Sequence, residues 1–396
     1  MTDIAKIQDQ NIRNKTIIVR VDFNVPFTPG TKEISDDSRI RSSLPTLQYL
    51  LDKNCKVLIC THLGRPGGTF DDKLSLKPIA TKLSEILGVP VPLAPDSLGP
   101  EISLMISEMK RPSLLMLENI RFHPGEENND QYFAAELAKL ADCYVNDAFG
   151  ASHRAHASTE GITKYIPSSA GHLLQKEVTI LEKALDRPER PLIAILGGAK
   201  VSDKIQVMKN LLTKVDKLII GGGMANTFLK ANGKDIADSL FENDHLELAL
   251  EIQQTSSSLG IEILLPEDFV VSDSFNQNAT TMVGDIDSIP PGWMIMDIGP
   301  KTAKSYSKAT GIAKTIIWNG PMGVSEWKSF SNGTLILAKK LAQSSNITTV
   351  IGGGSTGEAI ASFGLTDKMS HVSTGGGASL EFLEGKILPG LTGLKT

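Results

Sequence analysis

Residues 348–360 read TTVIGGGSTGEAI: a β-branched apolar run, three glycines, then residues that favour a helix. Gly352, Gly354 and Gly357 stand at G-x-G-x-x-G spacing. That spacing lets a phosphate approach the backbone at a helix N-terminus, where N–H groups point outward and the dipole favours negative charge. A second stretch, GGAKVSDK (197–204), also follows an apolar run and is expected to open a helix. It is not a Walker A loop, because the G-x-x-x-x-G-K-[ST] spacing fails. Lys200 and Lys204 are four apart, which on a helix puts them on one face near its start. Two cations gain nothing from the dipole there. They are either solvated lysines or partners of a phosphate, and the glycines before them favour the phosphate.

Other residues carry a different chemistry. THLGRPGG (61–68) places His62 and Arg65 in a turn after an apolar run, and FGASHRAHAST (149–159) brings His153, Arg154 and His156 together. No third His, Cys or carboxylate stands at ligand spacing from the two histidines, so an anion suits this stretch better than zinc. Arg20, Arg39, Arg41 and Arg121 also follow or approach the ends of apolar runs. All ten arginines lie at or before Arg190, whereas 25 of the 35 glycines lie in residues 191–396. One half is therefore expected to offer guanidinium groups to a small anion, the other backbone N–H groups to phosphates.

A chain of 396 residues is long for one core, and two domains of roughly 150–200 residues are expected. The compositional shift falls at LDRPERP (185–191), a plausible linker. In the first half the apolar runs are TIIVRVDFN, KVLICTHLGR, LLMLENIRFH and DCYVNDAFG. In the second they are LIAILGGAK, KLIIGGG, IEILLPEDF, TIIWNGP, TVIGGGST and SHVSTGGG. Continuous apolarity marks strands buried on both faces, hence parallel sheets covered by helices, with ligands beyond the strand carboxyl ends. The fold class expected is α/β, with two doubly wound, Rossmann-like parallel-sheet domains joined by a hinge. A net charge of -5 gives a nucleic-acid partner no global support. No apolar run reaches the ~18 residues of a membrane span, and the polar N-terminus shows no secretory signal. Cys55, Cys60 and Cys143 lack metal or CxxC spacing and read as reduced thiols of a cytoplasmic protein.

Phosphoryl transfer needs positioning and charge neutralisation more than covalent help. A carboxylate acceptor is already ionised at pH 7 and needs no base, so arginines on one side and phosphate loops on the other suit a carboxylate or acyl phosphate. RVDFNVP (20–26), THLGRP (61–66), LENIRFH (117–123), NDAFGASHRAHAS (146–158), GGAKVSDKI (197–205), GGGMANTFLK (221–230), WNGPMGVSE (318–326) and SHVSTGGGASLEFLEGKILPG (370–390) follow one another in this order. In that series the sequence resembles the phosphoglycerate kinase family over nearly its whole length.

The resemblance implies reversible phosphoryl transfer between 1,3-bisphosphoglycerate and ADP, giving 3-phosphoglycerate and ATP, by a magnesium-dependent monomer. It implies a phosphoglycerate-binding domain over 1–185 with the tail 386–396, and a nucleotide-binding domain over 186–385. Asp22, Phe23, Asn24, Arg39, His62, Leu63, Gly64, Arg65, Arg121 and Arg154 would bind the phosphoglycerate. Lys204, Gly222, Ile295, Glu326, Gly353, Gly354, Ser355 and Thr356 would bind the nucleotide. Arg39 and Lys200 would stabilise the phosphoryl group in flight, helped by N–H groups around Gly353–Gly354 and Gly375–Gly377, with Gly354 and Gly376 central.

Three departures from the family pattern lie on the nucleotide side. Ser355 stands where the family usually has an Asp that serves the magnesium-nucleotide, Ile295 where it has Gly, and Ser325 where it has Phe. A hydroxyl is a weak neutral ligand, and magnesium keeps several waters in an octahedral shell. Phosphates and water would then hold the metal beside Ser355 and a compensating carboxylate, with Asp203 preferred to Glu358. Two other classes compete: a phosphoglycerate-binding homologue with impaired or altered nucleotide use, and a nicotinamide-dependent dehydrogenase. The dehydrogenase fingerprint wants an acidic residue about 20 positions on; here the next apolar run ends SHVSTGGG, and 39 residues follow Gly357.

Overall fold

The computed structural model describes residues 3–395. Their contacts divide the chain into two compact units: residues up to Thr179 together with those from Ile387 onward, and Ile180–Lys386. The division falls inside the helix His172–Asp186, ahead of the 185–191 segment. In the first unit the tail is tied down by backbone and side chain. Gly390 N–H donates to the Ser152 carbonyl (2.8 Å), Asn146 Nδ2 to the Gly390 carbonyl (3.0 Å) and Ala5 N–H to the Leu394 carbonyl (2.7 Å). Leu388, Leu391 and Leu394 are buried beneath these bonds.

The first unit is built on five parallel strands: β1 (Thr16–Arg20), β2 (Lys56–Cys60), β3 (Ser113–Met116), β4 (Cys143–Asn146) and β5 (Ser168–Ala170). They lie in the order β3-β2-β1-β4-β5. Strand order reverses between β1 and β4, where Arg20 sits opposite Asn146. Ile17, Val19, Val57, Ile59, Leu114, Met116 and Val145 line one core face, and Ile18 and Leu58 turn the other way and are also fully buried. Burial on both faces explains why these strands read as continuous apolar runs.

The second unit has six parallel strands: β6 (Leu192–Leu196), β7 (Lys217–Ile220), β8 (Glu262–Leu264), β12 (Thr315–Asn319), β13 (Thr348–Gly352) and β14 (His371–Val372). Their order is β14-β13-β12-β6-β7-β8, the doubly wound arrangement again, with its reversal between β6 and β12. The fold is thus two doubly wound α/β units. The second unit adds an antiparallel sheet, β10-β9-β11, formed by β9 (Asp268–Ser272), β10 (Thr281–Asp285) and β11 (Met294–Ile298). β10 and β5 lack the continuous apolar signature: β10 alternates exposed and half-buried residues, and β5 is the triplet SSA. β9 and β11 carry short apolar runs, FVV and MIM, yet pair antiparallel. Among the described residues no helix is long and apolar enough to cross a membrane.

Candidate active site

In the first unit the chemistry gathers beyond the carboxyl ends of β1 to β4. Arg20, the last residue of β1, is fully buried. Its Nε donates to Ser158 Oγ (2.8 Å), one terminal nitrogen to the Val21 carbonyl (2.5 Å), and the other meets His62 Nδ1 at 3.1 Å. Such a charge is tolerable only with a counter-charge and satisfied donors. Glu126 provides it: fully buried, it accepts from Ser158 N–H (2.8 Å) and from Ser158 Oγ (2.6 Å), so the Ser158 hydroxyl links arginine to carboxylate.

His62 is buried, and its imidazole is held well below the ordinary histidine value, first by burial and then by Arg20, Arg121, Arg39 and Arg154. The ring is therefore neutral. With Nδ1 accepting from Arg20, the network assigns the proton to Nε2, and the 3.9 Å approach of Asp22 Oδ1 to Nδ1 is not an ion pair. Asp22 instead accepts from Arg39, at 2.6 Å. Asn24 Oδ1 accepts from Gly64 N–H (2.9 Å), and Arg121 donates to the Gly64 carbonyl (2.8 Å). Gly64 has φ +63°, a left-handed conformation that favours glycine. Burial brings Arg121 down to about 10, against the pull of Glu127 and with Arg20 and Arg154 adding to the drop; it stays a cation at neutral pH.

Arg154 is half-buried, its Nε 3.2 Å from His153 Nε2, and Arg65 is exposed in the loop after β2. Four expectations meet a different geometry. Phe23 and Leu63 put their side chains into the hydrophobic core, leaving only backbone for a ligand, and Leu63 N–H and C=O are both engaged by Asn119 (3.3 and 2.8 Å). Arg41 is exposed and clasped by Asp37 at 2.8 and 3.0 Å. His156 is buried near Glu126 and depressed to about 3 by burial and by Arg121, Arg20 and Arg154, so it supports the site as a neutral ring.

The second unit builds its site from loops at its own strand reversal. Gly197 and Gly198 follow β6, Gly221–Gly223 follow β7, and Gly320–Met322 follow β12. The loops touch backbone to backbone. A Cβ on Gly197 would lie 2.1 Å from the Pro321 carbonyl, one on Gly320 2.2 Å from the Gly197 carbonyl, and one on Gly222 2.7 Å from Gly198 N. They open onto a cleft of about 470 Å³ whose walls include Lys200, Asp203, Lys204, Asn319, Gly353, Gly354, Ser355, Gly376 and Gly377. Two helices begin there, Gly354–Ser362 behind Gly353 (φ +87°) and Gly377–Leu383 behind Gly376 (φ +50°). First-turn N–H groups have no carbonyl partner within their own helix and can receive an anion.

The two lysines differ. Lys200 is exposed in a loop, and Lys204 ends a short 3-10 turn, Ser202–Lys204, before the α-helix starts at Ile205. They do not share an α-helical face: the glycine turn consumes the residues that the spacing assigned to a first helical turn. Lys204 is buried, donates to Asn319 Oδ1 and is lowered by burial, against Asp203, to about 8. Asn319 Nδ2 is buried and has no hydrogen-bond partner among the described residues. Thr356 is fully buried and its hydroxyl accepts from Gly320 N–H (2.6 Å), so it braces the loop rather than facing the cleft.

A second cavity, about 400 Å³, shares Gly198, Ala199 and Ser355 with the cleft. Its walls are mainly apolar (Leu240, Phe269, Phe275, Met294, Ile295, Val324), with Gly222, Asn226, Asp297 and Glu326. Burial pushes the Asp297 carboxyl up to about 7, although it accepts from the N–H groups of Gly333 and Ile298. For magnesium, Asp203 and Ser355 both line the cleft. No cluster of three or more His, Cys, Asp or Glu occurs among the described residues. One carboxylate and one hydroxyl fit a magnesium that keeps phosphate oxygens and water as its other ligands. Glu126, Ser158 and Asn319 escaped the sequence reading as site residues. Asn319 ends an apolar run just before a glycine, a usable signal; Glu126, in the polar stretch PGEENND, offers none.

Buried arginines beyond the strands of one doubly wound unit, and a glycine-lined cleft beside an apolar slot on the other, are the arrangement expected of a two-domain α/β phosphotransferase. The family model described as phosphoglycerate kinase matches residues 7–386. A phosphoglycerate kinase of Moorella thermoacetica is 52% identical over 388 residues, 98% of each chain. One of Dictyoglomus turgidum is 53% identical over 392 residues, 99% of this chain and 98% of the relative. The solved phosphoglycerate kinase of Coxiella burnetii superposes with a TM-score of 0.89 at 42% identity, over 99% of this chain and 98% of the other. The chain belongs to the phosphoglycerate kinase family.

Proposed function

We propose that the chain transfers a phosphoryl group reversibly between the acyl phosphate of 1,3-bisphosphoglycerate and ADP, giving 3-phosphoglycerate and ATP. The observation that carries this reading is the apolar slot joined to a glycine-built phosphate cleft, the two halves of a nucleoside polyphosphate, in a chain whose other unit holds a buried arginine site. In it Arg39, His62, Arg65, Arg121 and Arg154, with Asp22 and Asn24, bind the phosphoglycerate. Neutral His62 donates from Nε2, which Arg20 fixes by occupying Nδ1. The base and ribose occupy the slot beside Gly222, Ile295 and Glu326, and the phosphates lie over Gly353, Gly354, Ser355 and Lys204.

The acceptor carboxylate is already ionised at neutral pH, so no side chain has to take a proton. The protein's work is to align the two oxygens and neutralise the charge that spreads over the transferring group. Arg39 reaches it from one unit; Lys200 and the N–H groups of Gly354 and Gly376 from the other. Magnesium, held by the nucleotide phosphates with Asp203 and Ser355 at hand, would offset phosphate charge when bound. Transfer then requires the two sites to be brought together around a hinge, with water excluded. A monomer in the reducing cytoplasm suits three buried, unpaired cysteines. The binding-only alternative is not favoured, given relatives of the same family at 52–53% identity along the chain. The test is a coupled assay with 3-phosphoglycerate, ATP and magnesium: ADP formation that depends on 3-phosphoglycerate supports the reading, and none refutes it.

A further inference from the structure

The first unit buries a carboxylate whose hydrogen bonds go to none of the residues assigned to the phosphoglycerate. Glu126, on the short helix Pro124–Glu127, is fully buried and fixes Ala157 and Ser158 at three points. Its backbone carbonyl accepts from Ala157 N–H (2.9 Å), and its two carboxylate oxygens accept from Ser158 N–H (2.8 Å) and Ser158 Oγ (2.6 Å). An arginine Nε only donates, so the 2.8 Å bond from Arg20 Nε occupies a lone pair of Ser158 Oγ and the hydroxyl proton goes to Glu126. The guanidinium is planar and rigid. Holding its Nε at Ser158 and one terminal nitrogen at the Val21 carbonyl therefore sets where the other terminal nitrogen points, and that nitrogen is 3.1 Å from His62 Nδ1. Burial pushes the Glu126 carboxyl up, while Arg20 and the two Ser158 hydrogen bonds pull it back. A buried charge pair that meets only through a hydroxyl adds little to stability; what it supplies is direction.

We infer that Glu126 is a positioning residue for the phosphoglycerate: through Ser158 and Arg20 it keeps His62 in the tautomer whose Nε2 carries the proton. The inference rests on the reading of His62 as a donor to that substrate. Two neighbours compete for Nδ1. Arg20 needs it as an acceptor, whereas Asp22, whose Oδ1 lies 3.9 Å away, would take it as a donor. The two choices put the single ring proton on opposite nitrogens. The first leaves Nε2–H for an anionic oxygen; the second would meet that oxygen with a lone pair. Without the Glu126–Ser158 hold the guanidinium loses the anchor that aims it at Nδ1, and Asp22 can claim the ring.

The test is the ring-nitrogen magnetic resonance spectrum of protein carrying ¹⁵N-histidine, at neutral pH, beside steady-state kinetics with 3-phosphoglycerate and ATP. The His62 signals are assigned by their loss in His62→Gln. The proteins are the wild type, Ser158→Ala, which deletes the link and little volume, and Glu126→Gln, which keeps the shape and removes the charge. The wild type should carry the proton on Nε2, with Nδ1 unprotonated and hydrogen-bonded. In either variant the proton should move wholly or partly to Nδ1. The KM for 3-phosphoglycerate should rise about tenfold, the size of one hydrogen bond to a charged group, with kcat within about threefold and the KM for ATP unchanged. Unmoved ring signals of His123, which pairs with Asp96 in the same unit, show that unit to be folded. Should Glu126→Gln fail to fold, Ser158→Ala decides. A wild-type proton on Nδ1 overturns the inference without recourse to a variant. So does a raised KM in Ser158→Ala with the proton still wholly on Nε2, the signature of a merely structural role. Wild-type protein that binds no 3-phosphoglycerate overturns the reading of the site itself, whereas normal turnover with the His62 proton on Nδ1 removes only the role of Glu126.

Discussion

The two units share a strand order and treat an anion in opposite ways. At the reversal point of the first, Arg20 lies opposite Asn146; at that of the second, Leu196 lies opposite Asn319. The first fills the space beyond its strands with side chains and binds charge with charge. Its cost is buried charge, and Glu126, Ser158 and neutral His62 offset it. The second empties that space by using glycine, which brings backbone close to the cleft and lets neighbouring loops touch. A charged site is specified by which side chains are present; a backbone site is specified by which are missing. Substitutions should therefore damage the two in different ways.

The largest effects should come from the groups assigned to the moving charge. Arg39→Ala and Lys200→Ala should each lower kcat at least about 10²-fold, since each serves charge that develops in the transition state. Steady-state kinetics decide it: unchanged kcat with a raised KM makes the residue a binder only. Next comes the glycine contact. Gly320 has φ +101°, and a Cβ would stand 2.2 Å from the Gly197 carbonyl, so Gly320→Ala should destabilise the second unit by about 1–3 kcal/mol and weaken nucleotide binding. All three tryptophans, Trp293, Trp318 and Trp327, belong to that unit, so their fluorescence during urea unfolding reports it alone. A shifted midpoint with unchanged 3-phosphoglycerate affinity is expected; an unshifted one would break the contrast.

The charged site should also show a pH dependence of its own. His156 falls to about 3 in the folded protein from an ordinary 6.5, so its contribution to stability is present above 6.5 and lost as pH falls towards 3. Asp147, buried just after β4 and accepting from the N–H groups of Leu173 and Leu174, works the other way. Burial raises it to about 8, so its contribution is fully present below 3.8 and is lost as pH rises from there through 8. His156→Gln should flatten the stability profile between about 3 and 6.5, and Asp147→Asn should remove the loss that runs from 3.8 to about 8, read by circular dichroism melts across pH. Identical profiles in variant and wild type would remove the charge account of that site. The smallest effect is at Ser355. Ser355→Asp should tighten magnesium-nucleotide binding by a factor of about 3 to 10, one partly exposed charge. Asp203→Ala should harm it far more than Glu358→Ala, since Asp203 lines the cleft. A magnesium titration that Ser355→Asp leaves unmoved would assign the serine to drift.

How much of this was legible in sequence follows the same contrast. The strands buried on both faces announce themselves as apolar runs, and the residues just beyond them, Arg20 to Asn24, His62 to Arg65 and Gly197 to Lys204, are where the sites lie. β10 does not, because its residues alternate between exposed and half-buried, and β5 carries no apolar residue larger than alanine. The apolar runs FVV of β9 and MIM of β11 do not by themselves reveal that these strands pair antiparallel. A charge is legible by type, yet type alone cannot separate Arg121, buried, from Arg41, exposed and held by Asp37. Glu126 is invisible to pattern, since only the packing around it shows that Ser158 links it to a buried cation.

The central claim is that the two sites act on one phosphoryl group. Its most direct test is single-turnover transfer from γ-³²P-labelled ATP to 3-phosphoglycerate by the purified protein with magnesium, followed beside equilibrium binding of each substrate. The account predicts label on an acid-labile acyl phosphate, with transfer lost in Arg39→Ala while ATP binding persists. Tight binding of both substrates by the wild type with no labelled acyl phosphate would contradict it.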